Sequence, residues 1–135
     1  MEIRLPGSYA EDYEWLLRAA RHAPLVAVPR PLVTVRWHRS SWFEKRWVTI
    51  SAALTYLLEK HPDLGRDLHG YARICGQIAF AHAASGDTPE ARRWSARAIR
   101  ANWHEPRSYL ALAVSLGLIR AETLLRMAHT WGRGI

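Results

Sequence analysis

The sequence contains a single cysteine, Cys75, among its 135 residues. One thiol cannot form an internal disulfide and cannot supply a metal cluster built from several cysteines. Nothing here depends on an oxidising compartment, so we expect a cytoplasmic protein. Because Cys75 falls on an apolar stripe of a predicted helix with no evident base beside it, we interpret it as a buried structural thiol.

The sequence also has no run of about 18 or more apolar residues, the length that a transmembrane helix requires. The N-terminal residues 1–7 show none of the hydrophobic region of a signal peptide. The pattern therefore predicts neither membrane insertion nor export.

Lysine is scarce: two lysines accompany seventeen arginines, and the formal net charge is +7. A basic protein can bind nucleic acid, an anionic lipid surface or a phosphorylated ligand. The arginines are scattered, however, and no base-reading motif is present, so nucleic acid is not the partner we expect. One dense group falls on the outer side of a predicted helix, which favours a solvated face over a binding patch. That group comprises Arg92, Arg93, Arg97 and Arg100.

The N-terminal region begins with a helical pattern. Ser8 precedes Glu11 by the three residues of a capping box. Apolar residues then recur at the spacing of one helix face, which predicts a helix over about residues 9–22. The recurring residues are Tyr13, Leu16, Leu17 and Ala20.

Two apolar runs follow this helix, Leu25–Val28 and Leu32–Trp37, and both are rich in valine. Prolines at positions 24, 29 and 31 bound the runs, as at the starts or edges of strands. We therefore predict two short strands, which are too few to form a sheet by themselves.

From Phe43 onward the apolar periodicity is helical throughout. It predicts five helices. The first two cover about 43–61 and 66–84, the third begins at a cap at Thr88, and the last two cover about 106–117 and 121–130. The expected fold is thus mostly α, with an N-terminal segment 1–42 and a helical bundle 43–135. Around Gly86-Asp87 the bundle resembles a tetratricopeptide-type helix pair, which requires small residues where its helices meet. Those small residues are Ala79, Ala91 and Ala98.

The order of elements in residues 7–41 resembles the C-terminal end of the catalytic domain of family 2, GT-A type glycosyltransferases. The motifs that carry the resemblance are Glu11-Asp12 at the start of the helix and Arg36-Trp37-His38-Arg39-Ser40-Ser41 after the second strand. The resemblance implies inverting sugar transfer from a nucleotide sugar to an acceptor hydroxyl. It also implies that residues 1–42 are a fragment of the catalytic domain, containing the predicted helix and the two-strand remnant of its sheet.

The resemblance implies specific roles for the predicted site. Asp12, paired with Glu11, matches the base that takes the proton from the attacking hydroxyl, a step that requires a positioned acid or base. Trp15 and Arg18 match substrate-binding residues further along the same helix. By helix signals alone, Glu11 and Asp12 would simply cap a helix.

His38 and Ser40 match positions near the diphosphate of the sugar nucleotide, where an imidazole can bind phosphate or metal. His38 is thus the candidate metal ligand, and the full-length enzyme would use Mg²⁺ or Mn²⁺. A nucleotide-binding half and an Asp-x-Asp metal motif, which the resemblance requires, do not occur in this sequence. We therefore expect the chain alone to be inactive and to need no metal.

An alternative is open at this point. Residues 43–135 can also be interpreted as a stand-alone basic helical module that binds a protein or an anionic surface. The apolar residues of the first helix favour the fragment, because they require a sheet to cover them. These residues are Tyr13, Trp15, Leu16 and Leu17.

Overall fold

A computed structural model describes residue 7, residues 9–34 and residues 46–130 of the chain. Six α-helices and a short 3-10 helix (Pro62–Arg66) make up this part. The five helices predicted after residue 42 are confirmed as α2 to α6, although the first begins at Trp47 and residues 43–45 lie outside the described ranges. The helices are α1 (Glu11–His22), α2 (Trp47–Lys60), α3 (Leu68–Ala84), α4 (Thr88–Ala101), α5 (Pro106–Ser115) and α6 (Ala121–Thr130).

Helix α3 lies at the centre of the bundle and packs against α2, α4 and α5. Its side chains Cys75, Ile78 and Phe80 are buried. The Phe80 ring meets Trp47 of α2 edge to face, with ring centroids 5.5 Å apart. An aromatic pair in this geometry contributes about 1 kcal/mol beyond the burial of its surface. The pair therefore helps to fix α2 on the central helix.

Helices α3 and α4 form the predicted helical hairpin. Ala79, Ala91 and Ala98 are completely buried, as the close approach of two helices requires. The chain reverses at Gly86, which has a φ of 87°. A glycine pays no steric cost in this left-handed conformation, and the Asp87 N–H can then donate to the His82 carbonyl (2.9 Å) and close the end of α3.

The predicted helix cap at Thr88 is wrong. Thr88 is the first residue of α4, and Asp87 before it accepts a hydrogen bond from the Glu90 N–H (3.4 Å). A carboxylate at this position satisfies one of the free N–H groups of the first turn, so a threonine cap is not required. Helix α1 begins after Ala10, which has a φ of 62° and provides no side-chain cap. Ser8 lies outside the described residues.

The two predicted strands are not found. Residues 23–34 are exposed and form neither helix nor strand, so the first run and the beginning of the second are irregular chain. Residues 35–37 of the second run lie outside the described ranges. A strand needs a neighbour to pair its N–H and C=O groups, and no strand occurs in the described ranges to act as one. Valine content and proline boundaries alone therefore overpredicted the sheet remnant.

We predict that Gly76→Ala lowers the free energy of unfolding by about 1 kcal/mol, although alanine is the better helix former. A Cβ at position 76 would lie 3.0 Å from Cγ of Glu105 and 3.1 Å from Cβ of Arg107. Because a Cβ is attached directly to its backbone, α5 itself would have to move. Urea unfolding followed by circular dichroism measures the change.

The matched control is Gly65→Ala, where an added Cβ meets no atom within 4 Å. We expect this variant to be neutral or slightly stabilised. Equal effects of the two substitutions would contradict close packing of α3 on α5.

Candidate functional site

The predicted acidic pair occupies the first turn of α1. Glu11 and Asp12 are both exposed. Oδ1 of Asp12 accepts a hydrogen bond from the N–H of Tyr13 (2.8 Å), so the free donors of the helix start orient the carboxylate. Burial, and secondarily the negative charge of Asp12, raises the pKa of Tyr9. Asp12 is thus both oriented and accessible from solvent.

Asp12 shares the outer face of α1 with aromatic and aliphatic side chains. Trp15 is 60% exposed and Leu16 is 40% exposed. These residues follow Asp12 by three and four positions, so all three lie on one side of the helix. The candidate base therefore stands at the edge of an uncovered apolar surface.

The Arg18 side chain is 48% exposed, but its guanidinium turns to a buried carboxylate. Its Nε donates to Oε2 of Glu14 at 3.0 Å, one helical turn earlier. The structure thus brings Asp12 and Trp15 together and directs the Arg18 guanidinium to a neighbouring carboxylate. His38 and Ser40 lie outside the described residues.

The carboxylate of Glu14, which the sequence reasoning missed, is the centre of a buried ionic cluster. Glu14 is 1% exposed. Its Oε1 accepts from Nζ of Lys60 at 2.8 Å and from Nε2 of His61 at 3.3 Å, and its Oε2 accepts from Arg18. A buried carboxylate with three donors satisfies the rule that buried charges are paired.

The cluster continues through His61 to the short 3-10 helix. Nη2 of Arg21 lies 2.8 Å from Nδ1 of His61 and 3.0 Å from Oδ1 of Asp63. Because a guanidinium can only donate, Nδ1 of His61 accepts, and the ring proton sits on Nε2 and points to Glu14. We call Glu14, Arg18, Arg21, Lys60, His61 and Asp63 the α1 clamp.

Burial of Glu14 alone would raise its pKa, but the hydrogen bonds from Lys60 and His61 and the charges of Lys60 and Arg18 outweigh it. The pKa of Glu14 therefore lies below its ordinary value. Side chains that are themselves partly exposed cover Glu14, since Lys60 is 28% and Arg18 48% exposed. Glu14 therefore lies just beneath the protein surface, and the free-energy cost of desolvating its carboxylate is moderate.

The apolar residues that recur along α1 are not the ones that meet the bundle, and the clamp explains why. Tyr13, Leu16 and Ala20 are exposed, and only Leu17 of that set packs against the core. Glu14 and Leu17 face the bundle instead. Arg18 and Arg21, four and seven residues after Glu14, are about half exposed but turn their guanidinium groups to Glu14 and to His61. The sequence signal for the clamp was Glu14 followed by Arg18 and Arg21, four and seven residues later. The same spacing of charges is common on solvated helix faces, so it did not identify a buried cluster.

The bundle carries a second candidate surface, an open groove of about 950 Å³ between α2, α3 and α4. Tyr56, Tyr71 and Trp94 contribute aromatic walls. Arg93 and Arg97 line the groove beside Glu59 and Glu90, and Arg93 pairs with Glu90 at 3.2 Å. The Arg97 guanidinium lies 4.6 Å above the centre of the Trp94 ring. The groove combines aromatic and cationic side chains, which a protein-binding surface commonly uses.

No family model matches the chain, and no curated protein or solved structure matches it either. No helix in the described ranges has both the length and the apolar character needed to cross a membrane. The same ranges contain no group of three side chains suited to hold a metal ion.

We predict that Glu14→Gln weakens the attachment of α1 by about 2 kcal/mol, the typical contribution of hydrogen bonds to a charged group. The backbone of α1 makes few contacts with the other helices, so we expect local release and not global unfolding. Amide hydrogen exchange in α1 should accelerate about thirtyfold, while exchange in α3 to α5 stays unchanged. Glu11→Gln, an exposed acid on the same helix, is the control. Similar acceleration in both variants would show that the clamp does not hold α1.

We also predict that acid releases α1. Because the pKa of Glu14 is lowered in the folded protein, the folded state binds fewer protons than the unfolded chain. The stabilisation is complete above the pKa of the unfolded chain, and it is lost as the pH falls below 4.5, the ordinary value of a glutamate, and through the lower folded pKa. Asp63 acts in the same direction, since a hydrogen bond to its own backbone and the nearby Arg21 lower its pKa.

The measurement is hydrogen exchange of the α1 amides between about pH 6 and pH 3, corrected for intrinsic rates. Protection should fall towards low pH in the native protein. The fall should be smaller in Glu14→Gln, where only Asp63 and the remaining exposed carboxylates titrate. Parallel profiles would mean that Glu14 does not contribute.

Proposed function

We propose that this chain is the C-terminal part of a family 2, GT-A type glycosyltransferase, followed by a helical accessory region. The whole enzyme would transfer a sugar with inversion from a nucleotide sugar to an acceptor hydroxyl. One observation supports this most strongly: Asp12 is oriented at a helix N-terminus, exposed, and bordered by the exposed ring of Trp15. A base for an incoming alcohol needs this combination of orientation and access.

In the proposed reaction, Asp12 takes the proton from the acceptor hydroxyl as its oxygen attacks the anomeric carbon. The bond between that carbon and the diphosphate oxygen breaks, and its electron pair leaves with the nucleoside diphosphate. Attack from the opposite side inverts the anomeric configuration. Glu11 adds negative charge beside the base, and Trp15 offers a flat apolar face for a sugar ring.

The leaving group requires positive charge, which a divalent metal, Mg²⁺ or Mn²⁺, supplies when bound in the full-length enzyme. His38 and Ser40 are the proposed contacts of this chain near the diphosphate. Arg18 would reach a substrate only by leaving Glu14, so we assign it to the clamp first and to substrate binding second.

The exposed apolar side chains on the outer surface of α1 support the proposal that another domain covers them. Besides Trp15 and Leu16, Tyr13 is 40% exposed, and the following segment exposes Leu25, Val26, Val28, Leu32 and Val33. Exposed apolar side chains in this number normally mark an interface. In the proposal, the nucleotide-binding half covers it and completes the site, which is why we expect no transfer from this chain alone.

We predict that Asp12→Asn in the full-length enzyme, or in this chain fused to a matching nucleotide-binding half, lowers turnover about a thousandfold. Asparagine keeps the size and the hydrogen bond to Tyr13 but cannot take a proton. Release of nucleoside diphosphate from a panel of nucleotide sugars measures turnover, and calorimetry with the diphosphate alone measures donor binding, which should stay within about twofold.

The matched control is Glu122→Gln, which also neutralises an exposed acid in the first turn of a helix, α6. We expect full activity in that variant. Unchanged turnover in Asp12→Asn would remove Asp12 from the mechanism. Transfer by the isolated chain would overturn its assignment as an incomplete enzyme.

A further inference from the structure

The turn between α5 and α6 exposes an unusual concentration of apolar side chains. Leu116 is 59%, Leu118 73% and Ile119 39% exposed. Tight turns on a surface are usually built from Gly, Pro, Asn, Asp and Ser. Of the four residues from 116 to 119, only Gly117, with a φ of 71°, fits that chemistry. The apolar residues are therefore not explained by the turn itself.

The backbone of this turn is held in place by hydrogen bonds. The N–H of Gly117 donates to the Val114 carbonyl and the N–H of Leu118 to the Ala113 carbonyl, each at 3.0 Å. In a helix end of this type, the residue at the position of Leu118 commonly folds back against the helix. Leu118 instead points its side chain into solvent, so the turn presents a fixed apolar tip.

Positive charge flanks the tip. Arg92 of α4 donates from Nη2 to the Ser115 carbonyl at 3.2 Å, directly before the turn. Arg120, which ends the turn, is exposed, and Glu122 is the acid that follows it in α6. Residues 88–130 contain seven arginines and three glutamates. The apolar tip thus belongs to a strongly basic part of the chain.

We propose that the α5–α6 turn docks the protein on the surface of an anionic phospholipid membrane. Leu116, Leu118 and Ile119 would enter the boundary between headgroups and acyl chains, and the guanidinium groups of Arg92 and Arg120 would meet lipid phosphates. Shallow apolar insertion and attraction to anionic lipid reinforce each other in peripheral binding. A protein surface would match the apolar side chains equally well, but the cationic flank favours the lipid. This proposal does not depend on the transferase function.

Flotation of the full chain with vesicles tests the proposal. We expect binding to phosphatidylcholine vesicles containing about 30% phosphatidylserine and weak binding to pure phosphatidylcholine, with the difference lost at about 1 M salt. Leu118→Ser combined with Ile119→Ser should lower the partition coefficient about tenfold. Arg120→Gln should lower it about fivefold.

Two matched controls separate the turn from general surface properties. Val48→Ser changes an apolar residue that is 70% exposed on α2. Arg100→Gln removes an exposed arginine about 12 Å along α4 from Arg92, at the end of the helix away from the turn. Both controls should bind within about twofold of the native protein.

A second measurement avoids dependence on the folding of the double variant. An environment-sensitive dye on Leu118→Cys should shift to the blue with anionic vesicles, and Cys75 is buried and stays unlabelled. The proposal is overturned by equal binding to both vesicle types, by full binding of the double variant, or by an unshifted dye. Self-association without vesicle binding, if the double variant abolishes it, would likewise overturn it in favour of a second copy of the chain.

Discussion

The orientation of the N-terminal helix depends on one buried carboxylate. Glu14 accepts hydrogen bonds from its own helix through Arg18 and from the C-terminal end of α2 through Lys60 and His61. The backbone of α1 touches the other helices little, and the apolar contribution comes mainly from Leu17 with Tyr9 and Ala10 before the helix. Directional contacts to a single charge therefore determine which side of α1 faces the bundle.

That orientation has a direct effect on the proposed site. With Glu14 turned inward, Asp12 and Trp15 are turned outward together, since they lie on the other side of the helix. A purely apolar attachment through Tyr13 and Leu16 would have buried the surface that we assign to a partner domain. The charged side of α1 thus attaches the helix to the bundle, and its apolar side remains exposed.

Much of the helical bundle could be predicted from the sequence, because local signals determined it. Pro106 and the glycines at 86 and 117 gave helix limits close to the observed ones, and the small residues Ala79, Ala91 and Ala98 identified the α3–α4 hairpin. The rotation of α1 could not be predicted. Its partners, Lys60 and His61, are 46 and 47 residues from Glu14 and carry no local signal of their role.

The predicted strands failed for a related reason. β-Propensity describes how a residue fits a paired, half-buried surface, and it does not create the pairing partner. The valines of Leu25–Val28 would fit a paired strand. The described part of the chain contains no neighbouring strand with which they could pair. Of the predicted site, the exposure of Asp12 followed from its place in the first turn of a helix. The sequence did not predict that the Arg18 guanidinium would bind Glu14 and so turn away from Asp12.

The long sequence separation within the clamp bears on the order in which the protein assembles. Helices α3, α4 and α5 follow one another along the chain and contact one another closely, so their core forms with little loop to close. The hydrogen bond between Glu14 and His61 joins residues that are 47 positions apart. Closing this long loop costs more chain entropy than bringing neighbouring helices together, and only a few polar contacts offset that cost. We therefore expect α1 to dock on the bundle last during folding, so that its outer surface is accessible to the proposed partner domain before the clamp forms.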